Sequence, residues 1–182
     1  MYGIVNLSFV GFVTSQYSAE KWAEVASQSG HPDTQFEPFE SYPDKISYDI
    51  VGAAATVLGV TFEEFLEGTG EYWVLVTAKE NYESLLKLAG SDLPTFLMSL
   101  NNLHERAQSI FPHYSPPSFR CEPQEEGCLR LLYFSEREGL APFVTGALRG
   151  LAKRFNVEIE IDHRGPDPKE SAEVFILSWT AE

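Results

Sequence analysis

The sequence predicts an α+β fold: an N-terminal helical lobe packed on a C-terminal lobe of four-stranded antiparallel sheet plus helices. Three observations carry this. Apolar residues recur at helical spacing through the first two-thirds of the chain, and the period changes to two after Pro116-Pro117. A single helical stretch then separates two pairs of alternating segments, giving a β-β-α-β-β tail. The 182 residues suit one domain over 1–182, with the helical lobe at about 1–62 and the α/β lobe at about 63–182.

Val5, Phe9, Phe12 and Val13 mark the first helix. A second starts at Ser18 as N-cap and stops near Gly30, and Pro32, Pro38 and Pro43 punctuate the loop behind it. A third helix runs from Ile46 to Leu58 and ends at Gly59. Thr61-Phe62-Glu63-Glu64 is a capping-box pattern opening a helix that includes Tyr72 and Trp73. Ser91-Asp92-Leu93-Pro94 opens another, whose buried stripe is Leu93, Phe96, Leu97, Leu100, Leu103 and Ala107. Ser118 to Glu122 and Cys128 to Ser135 read as a hairpin turning at Gln124–Gly127. Leu140 to Phe155 is a helix with Pro142 early, where Gly146 and Gly150 permit close backbone approach. Val157, Ile159 and Ile161 alternate on a strand, Gly165-Pro166-Asp167-Pro168 turns the chain, and Val174 to Trp179 closes a second hairpin.

Charge excludes some functions. Thirteen basic against 27 acidic residues give −14, which repels nucleic-acid phosphates and anionic membrane surfaces. The N-terminus lacks a signal-peptide pattern, and no stretch of about 18 apolar residues offers a membrane span. The expectation is a cytoplasmic protein. A two-residue turn at Gln124-Glu125 would set Cys121 opposite Cys128; in such a compartment both are expected as thiols. No P-loop, Rossmann or nucleophile-triad pattern is present. His31, His113 and His163 show no metal-ligand spacing and read as surface or loop residues.

Tyr133, Ser135 and Arg137 alternate, so a continuous strand would project a phenol, a hydroxyl and a guanidinium to one side. Such donors fit carboxylate oxygens. The alternative is a strand running into solvent, with Arg137 paired to Glu136 or Glu138. His104 falls four residues after Leu100, on the side of the buried stripe. It reads either as a core histidine bonded to a carbonyl or as an axial ligand presented from a helix to a haem iron. Pro116-Pro117 is either a stiff linker or a rigid ring against a bound group.

Met1-Tyr2-Gly3-Ile4-Val5-Asn6, Gly70-Glu71-Tyr72-Trp73, Asn102-Leu103-His104, Pro116-Pro117-Ser118-Phe119-Arg120 and Tyr133-Phe134-Ser135-Glu136-Arg137-Glu138-Gly139-Leu140 together resemble the haem-nitric oxide/oxygen-binding (H-NOX) domain. That is the sensor fold of the soluble guanylate cyclase β subunit and of stand-alone bacterial gas sensors. The likeness runs essentially end to end. It implies haem b (iron protoporphyrin IX) buried between the lobes and bound chiefly by the α/β lobe. His104 would be the proximal iron ligand, Tyr133, Ser135 and Arg137 would hold the propionates, and Pro117 would press on the porphyrin. Val5, Trp73 and Phe143 would line the distal pocket. Oxygen-binding members place a tyrosine on the helix after the Tyr-x-Ser-x-Arg segment; this chain has Pro142 there.

The resemblance thus implies a non-enzymatic sensor that binds nitric oxide and carbon monoxide at a five-coordinate ferrous haem and excludes oxygen. With no output module before Glu182, it implies signalling in trans to a sensor histidine kinase or a cyclic-di-nucleotide enzyme. A haem peroxidase or oxygenase, and a haem-free interaction module, are the competing expectations.

Overall fold

Side-chain oxygens of Ser18, Thr61 and Asp92 accept from orphan backbone N–H groups at three helix starts. The computed structural model describes residues 1–110 and 115–180, so His113 lies outside the described residues. Helix α1 (Gly3–Gln16) begins where Gly3 and Ile4 N–H groups donate to the Glu40 and Pro38 carbonyls, tying it to the loop around those residues. In α2 (Ala19–Gln28) the Ser18 hydroxyl accepts from the Lys21 N–H, and Gly30 follows at φ +80°. Helix α3 (Asp44–Leu58) starts two residues before the expected Ile46, because Pro43 is its N-cap and Asp44 fits the first turn. Thr61 and Glu64 form the expected reciprocal cap of α4 (Phe62–Tyr72), with bonds of 3.0 and 2.7 Å.

Beyond Tyr72 the sequence reading needs correction. Trp73–Thr77 is a π-helical turn, and α5 (Ala78–Ala89) carries a non-helical Tyr82. The single helix expected after Asp92 is two, α6 (Leu93–Met98) and α7 (Leu100–Ile110). The break falls at Ser99, whose hydroxyl turns back to the Ala89 and Phe96 carbonyls. A serine offering its oxygen to nearby backbone competes with helix continuation, and the apolar stripe does not register this.

Strands β1 (Ser118–Pro123), β2 (Cys128–Phe134), β3 (Ile159–Asp167) and β4 (Ala172–Trp179) form one antiparallel sheet in the order β1-β2-β4-β3. Helix α8 (Ala141–Phe155) separates β2 from β3. Two further expectations fail here. Gly165 to Asp167 belong to β3 behind a bulge at His163/Gly165, and the turn comes later, organised by Asp167, whose carbonyl accepts from Glu170 and Ser171. Val157 precedes β3 rather than lying within it.

The cysteines do not face each other. The first hairpin turns through Gln124–Gly127, so Cys121 opposes Leu131 and Cys128 opposes Ser178. Both are free, and Cys121 donates its thiol hydrogen to the Leu97 carbonyl at 3.3 Å. Burial pushes the Cys121 thiol up to about 11. Thiolate is the reactive form. Iodoacetamide at pH 7.5 is therefore expected to label Cys128 and leave Cys121 unmodified in the folded protein; peptide mapping that finds Cys121 labelled first contradicts this.

Two apolar clusters fill the interior. Phe9, Val13, Ile50, Phe65 and Leu66 centre the helical one, against which Leu140 and Phe143 of the α8 start are packed. Leu93, Leu131, Leu148, Phe175 and Leu177 centre the one between α8 and the sheet, with Trp73 and Leu103 at its border. Helix α4 gives Phe65 and Leu66 to the first cluster and α8 gives Val144, Leu148 and Leu151 to the second, and the two helices approach closely at Gly70 and Gly146.

Candidate functional site

Between the clusters lies a cavity of about 240 Å³ with mostly apolar walls. Val5, Trp73, His104, Pro117, Tyr133, Ser135, Arg137 and Phe143 all line it. The structure therefore brings together every site residue the sequence singles out, although Val5 and Phe143 lie 138 positions apart.

His104 enters from α7. Its Nδ1 lies 3.1 Å from the Pro117 carbonyl, which only accepts, so Nδ1 carries the proton and donates. Burial pushes the imidazole pKa down, with the Pro117 carbonyl partly opposing. The ring is thus neutral near pH 7, and Nε2 keeps its lone pair with no hydrogen-bond partner among the described residues. Phe119 flanks the ring, 5.6 Å between centroids.

Asn101, one turn earlier, was not legible in the sequence. Its Nδ2 donates to the Phe119 carbonyl at 2.5 Å and its Oδ1 accepts from the Phe119 N–H at 2.8 Å. The carboxamide thereby acts as a strand partner on the open edge of β1, and with His104–Pro117 it moors α7 to that edge. Asn101→Ala removes both bonds from an exposed site, so a loss of about 1 kcal/mol is expected, or roughly 3 °C in Tm. An unchanged melting curve contradicts this mooring.

The three donors do not share one strand face. Strand β2 ends at Phe134, and the chain curls as the Arg137 N–H donates to Ser135 Oγ at 3.0 Å. This serine turn replaces the strand, yet the three side chains still meet at the cavity. Burial raises the Tyr133 pKa, opposed by Ser135 and Arg137 and reinforced by Glu173. Arg137 pairs with neither Glu136 nor Glu138. Its Nε donates to Asp44 Oδ2 at 2.9 Å and its Nη1 to the Ser115 carbonyl at 3.1 Å, leaving Nη2 without a partner among the described residues. Burial alone would lift the Asp44 carboxyl; the Met1 amino group and Arg137 outweigh it and hold its pKa below the usual range. Neither Asp44 nor Ser115 has a sequence signal, since nothing in one-dimensional spacing connects residues 93 positions apart.

A family profile described as haem-NO-binding matches residues 2–163. The chain belongs to the haem-NO-binding family. Among curated relatives, it is 33% identical over 157 residues to soluble guanylate cyclase gcy-35 of Caenorhabditis elegans, covering 85% of this chain and 23% of that protein. It is 29% identical over 163 residues to gcy-31 of the same organism, covering 89% and 23%. The chain thus spans about a quarter of the length of these relatives. The fold matches an H-NOX protein from S. oneidensis in the Fe(II)NO state, with TM-score 0.88, 18% identity and both chains fully covered. It also matches an oxygen-binding H-NOX domain related to soluble guanylate cyclases, solved as its oxygen complex, with TM-score 0.83, 20% identity and 100% and 96% coverage. The H-NOX fold is therefore shared by a nitric oxide complex and an oxygen complex, and gas preference must be argued from side chains.

Proposed function

We propose that this H-NOX domain is a haem-based sensor that takes up nitric oxide and carbon monoxide, discriminates against oxygen and passes the signal to a partner enzyme. The observation that carries the reading is His104: a neutral imidazole, oriented through Nδ1 by a carbonyl, with Nε2 open on an apolar cavity. A carbonyl-oriented imidazole is the arrangement that metal-ligating histidines use.

The residues fit haem b. Trp73, Phe143, Val5 and Phe119 supply apolar and aromatic wall for a macrocycle, and Tyr133, Ser135 and the spare Arg137 donors supply a rim for its acidic arms. Pro117 lines the cavity, and its carbonyl orients His104, so a group pressing on this proline is sensed at the imidazole. When bound, haem supplies the iron that takes up the gas.

Oxygen discrimination rests on the wall of Val5, Trp73 and Phe143. Bound dioxygen gathers negative charge and gains from a hydrogen-bond donor, whereas nitric oxide and carbon monoxide gain little. Pro142 has no hydroxyl, and of the three wall residues only Trp73 carries a side-chain N–H. The same wall lacks the His or Arg that peroxidase chemistry needs to move protons, which favours a sensor over a catalyst. The partner class is a sensor histidine kinase or a cyclic-di-nucleotide enzyme, acting in trans. Absorption spectra of the reduced protein test the reading: carbon monoxide and nitric oxide should each shift a strong Soret band, and air should give no lasting oxygen adduct. A colourless folded protein, or a stable oxygen complex, contradicts it.

A further inference from the structure

Among the described residues α3 lends none to the cavity wall, but it bonds to two segments that flank it. In its first turn Asp44 holds Arg137, and one turn later the Tyr48 hydroxyl donates to the Glu138 carbonyl at 2.8 Å. These residues grip the 135–139 segment that presents Ser135 and Arg137. Between them in sequence, Ser47 donates to Asn6 Oδ1 at 2.6 Å. That bond is fully enclosed: Ser47 is 1% exposed and Asn6 0%. Asn6 follows Val5 on α1, and Val5 lines the cavity.

A helix contact made only for packing is filled by apolar side chains, as Val51 and Ala54 do further along α3. Here a buried hydroxyl and carboxamide meet instead, and Asn6 Nδ2 has no partner among the described residues. Buried polar contacts of this kind fix one arrangement sharply, because sliding either helix leaves a second group unpaired. Asp44, Ser47 and Tyr48 are spaced i, i+3, i+4, so their contacts are carried by neighbouring positions on one rigid helix.

We propose that α3 is a yoke, with Asn6, Ser47 and Tyr48 as positioning residues that make the setting of the α1 cavity wall and the setting of the Arg137 segment one event. Its meaning for gas sensing rests on the haem reading, but the coupling itself does not. Coupling free energies are reciprocal. Loosening the Tyr48 contact must therefore loosen α1, and loosening the Ser47 contact must loosen 135–139.

Amide hydrogen exchange by mass spectrometry reads this on the purified chain, with or without haem. Each of Ser47→Ala and Tyr48→Phe removes one oxygen. Each should speed exchange at its own contact by about threefold to tenfold, and speed the far segment, 135–139 or 3–9 respectively, by more than about twofold. Asp49→Asn, which breaks α3's surface pairs with Lys45 and His31, should leave both segments unchanged. Exchange that rises only beside each substitution, or equally in the Asp49 variant, overturns the yoke. In the haem-loaded protein, Ser47→Ala should also change the carbon monoxide release rate; an unchanged rate alongside coupled exchange overturns the link to the gas site and leaves the coupling standing.

Discussion

His104→Gly is expected to abolish the Soret band of protein purified without added ligand, and about 10 mM imidazole is expected to restore it. The reasoning starts from the tautomer. With Nδ1 committed to Pro117, only Nε2 can ligate a metal, and among the described residues lining the cavity there is no other His and no Cys, Asp or Glu to replace it. Glycine empties the position without adding a competing group, and free imidazole can refill it. The rescue separates ligation from folding: a variant that binds haem only with imidazole has kept its cavity. The detached ring also frees α7 from any pull through His104, leaving Asn101 as its tie to β1. If nitric oxide output through a partner stays native in the imidazole-rescued protein, the covalent link from His104 to α7 does not carry the signal. Retention of full haem without imidazole sinks the ligand assignment itself.

Gly146→Ala is expected to cost about 2–3 kcal/mol and lower Tm by roughly 5–10 °C. A Cβ built on Gly146 would sit 1.9 Å from the Glu67 carbonyl oxygen, and one on Gly70 2.1 Å from that of Phe143. Both obstacles are backbone, so no side-chain rotation relieves them. Helices α4 and α8 must separate, and the ion pairs Arg149–Glu67 and Lys153–Glu71 along the same seam stretch with them. Because Phe143 lies on α8 and Trp73 directly follows α4, the cavity wall should shift too. A Tm within about 1 °C of native would show that the seam yields without strain.

The close approach at Gly146 and Gly150 was legible because glycine in a helix interior has a cost that only proximity repays. Caps were legible for a similar reason: Ser18, Thr61 with Glu64, and Gly59 act on backbone groups within a few residues. The break at Ser99 and the serine turn at Ser135 were not, since apolar stripes and alternating donors describe side-chain direction and say nothing about a hydroxyl diverting the main chain. In the hairpin, the turn length decided which residues opposed Cys121, and composition alone did not give it. His104, Tyr133, Ser135 and Arg137 stood out by their chemistry and Val5, Trp73 and Phe143 only by the family resemblance, whereas Asp44, Tyr48 and Asn101 act on partners fixed only by the tertiary fold. Their residue types carry no mark of that duty.

Resonance Raman spectroscopy of the reduced protein, prepared with ⁵⁴Fe and ⁵⁷Fe haem, addresses the central claim most directly. An iron-isotope-sensitive iron–histidine stretch should be present in the native protein, absent in His104→Gly, and replaced by an iron–imidazole band on rescue. A native spectrum without that band, or one unchanged by the substitution, would contradict the account.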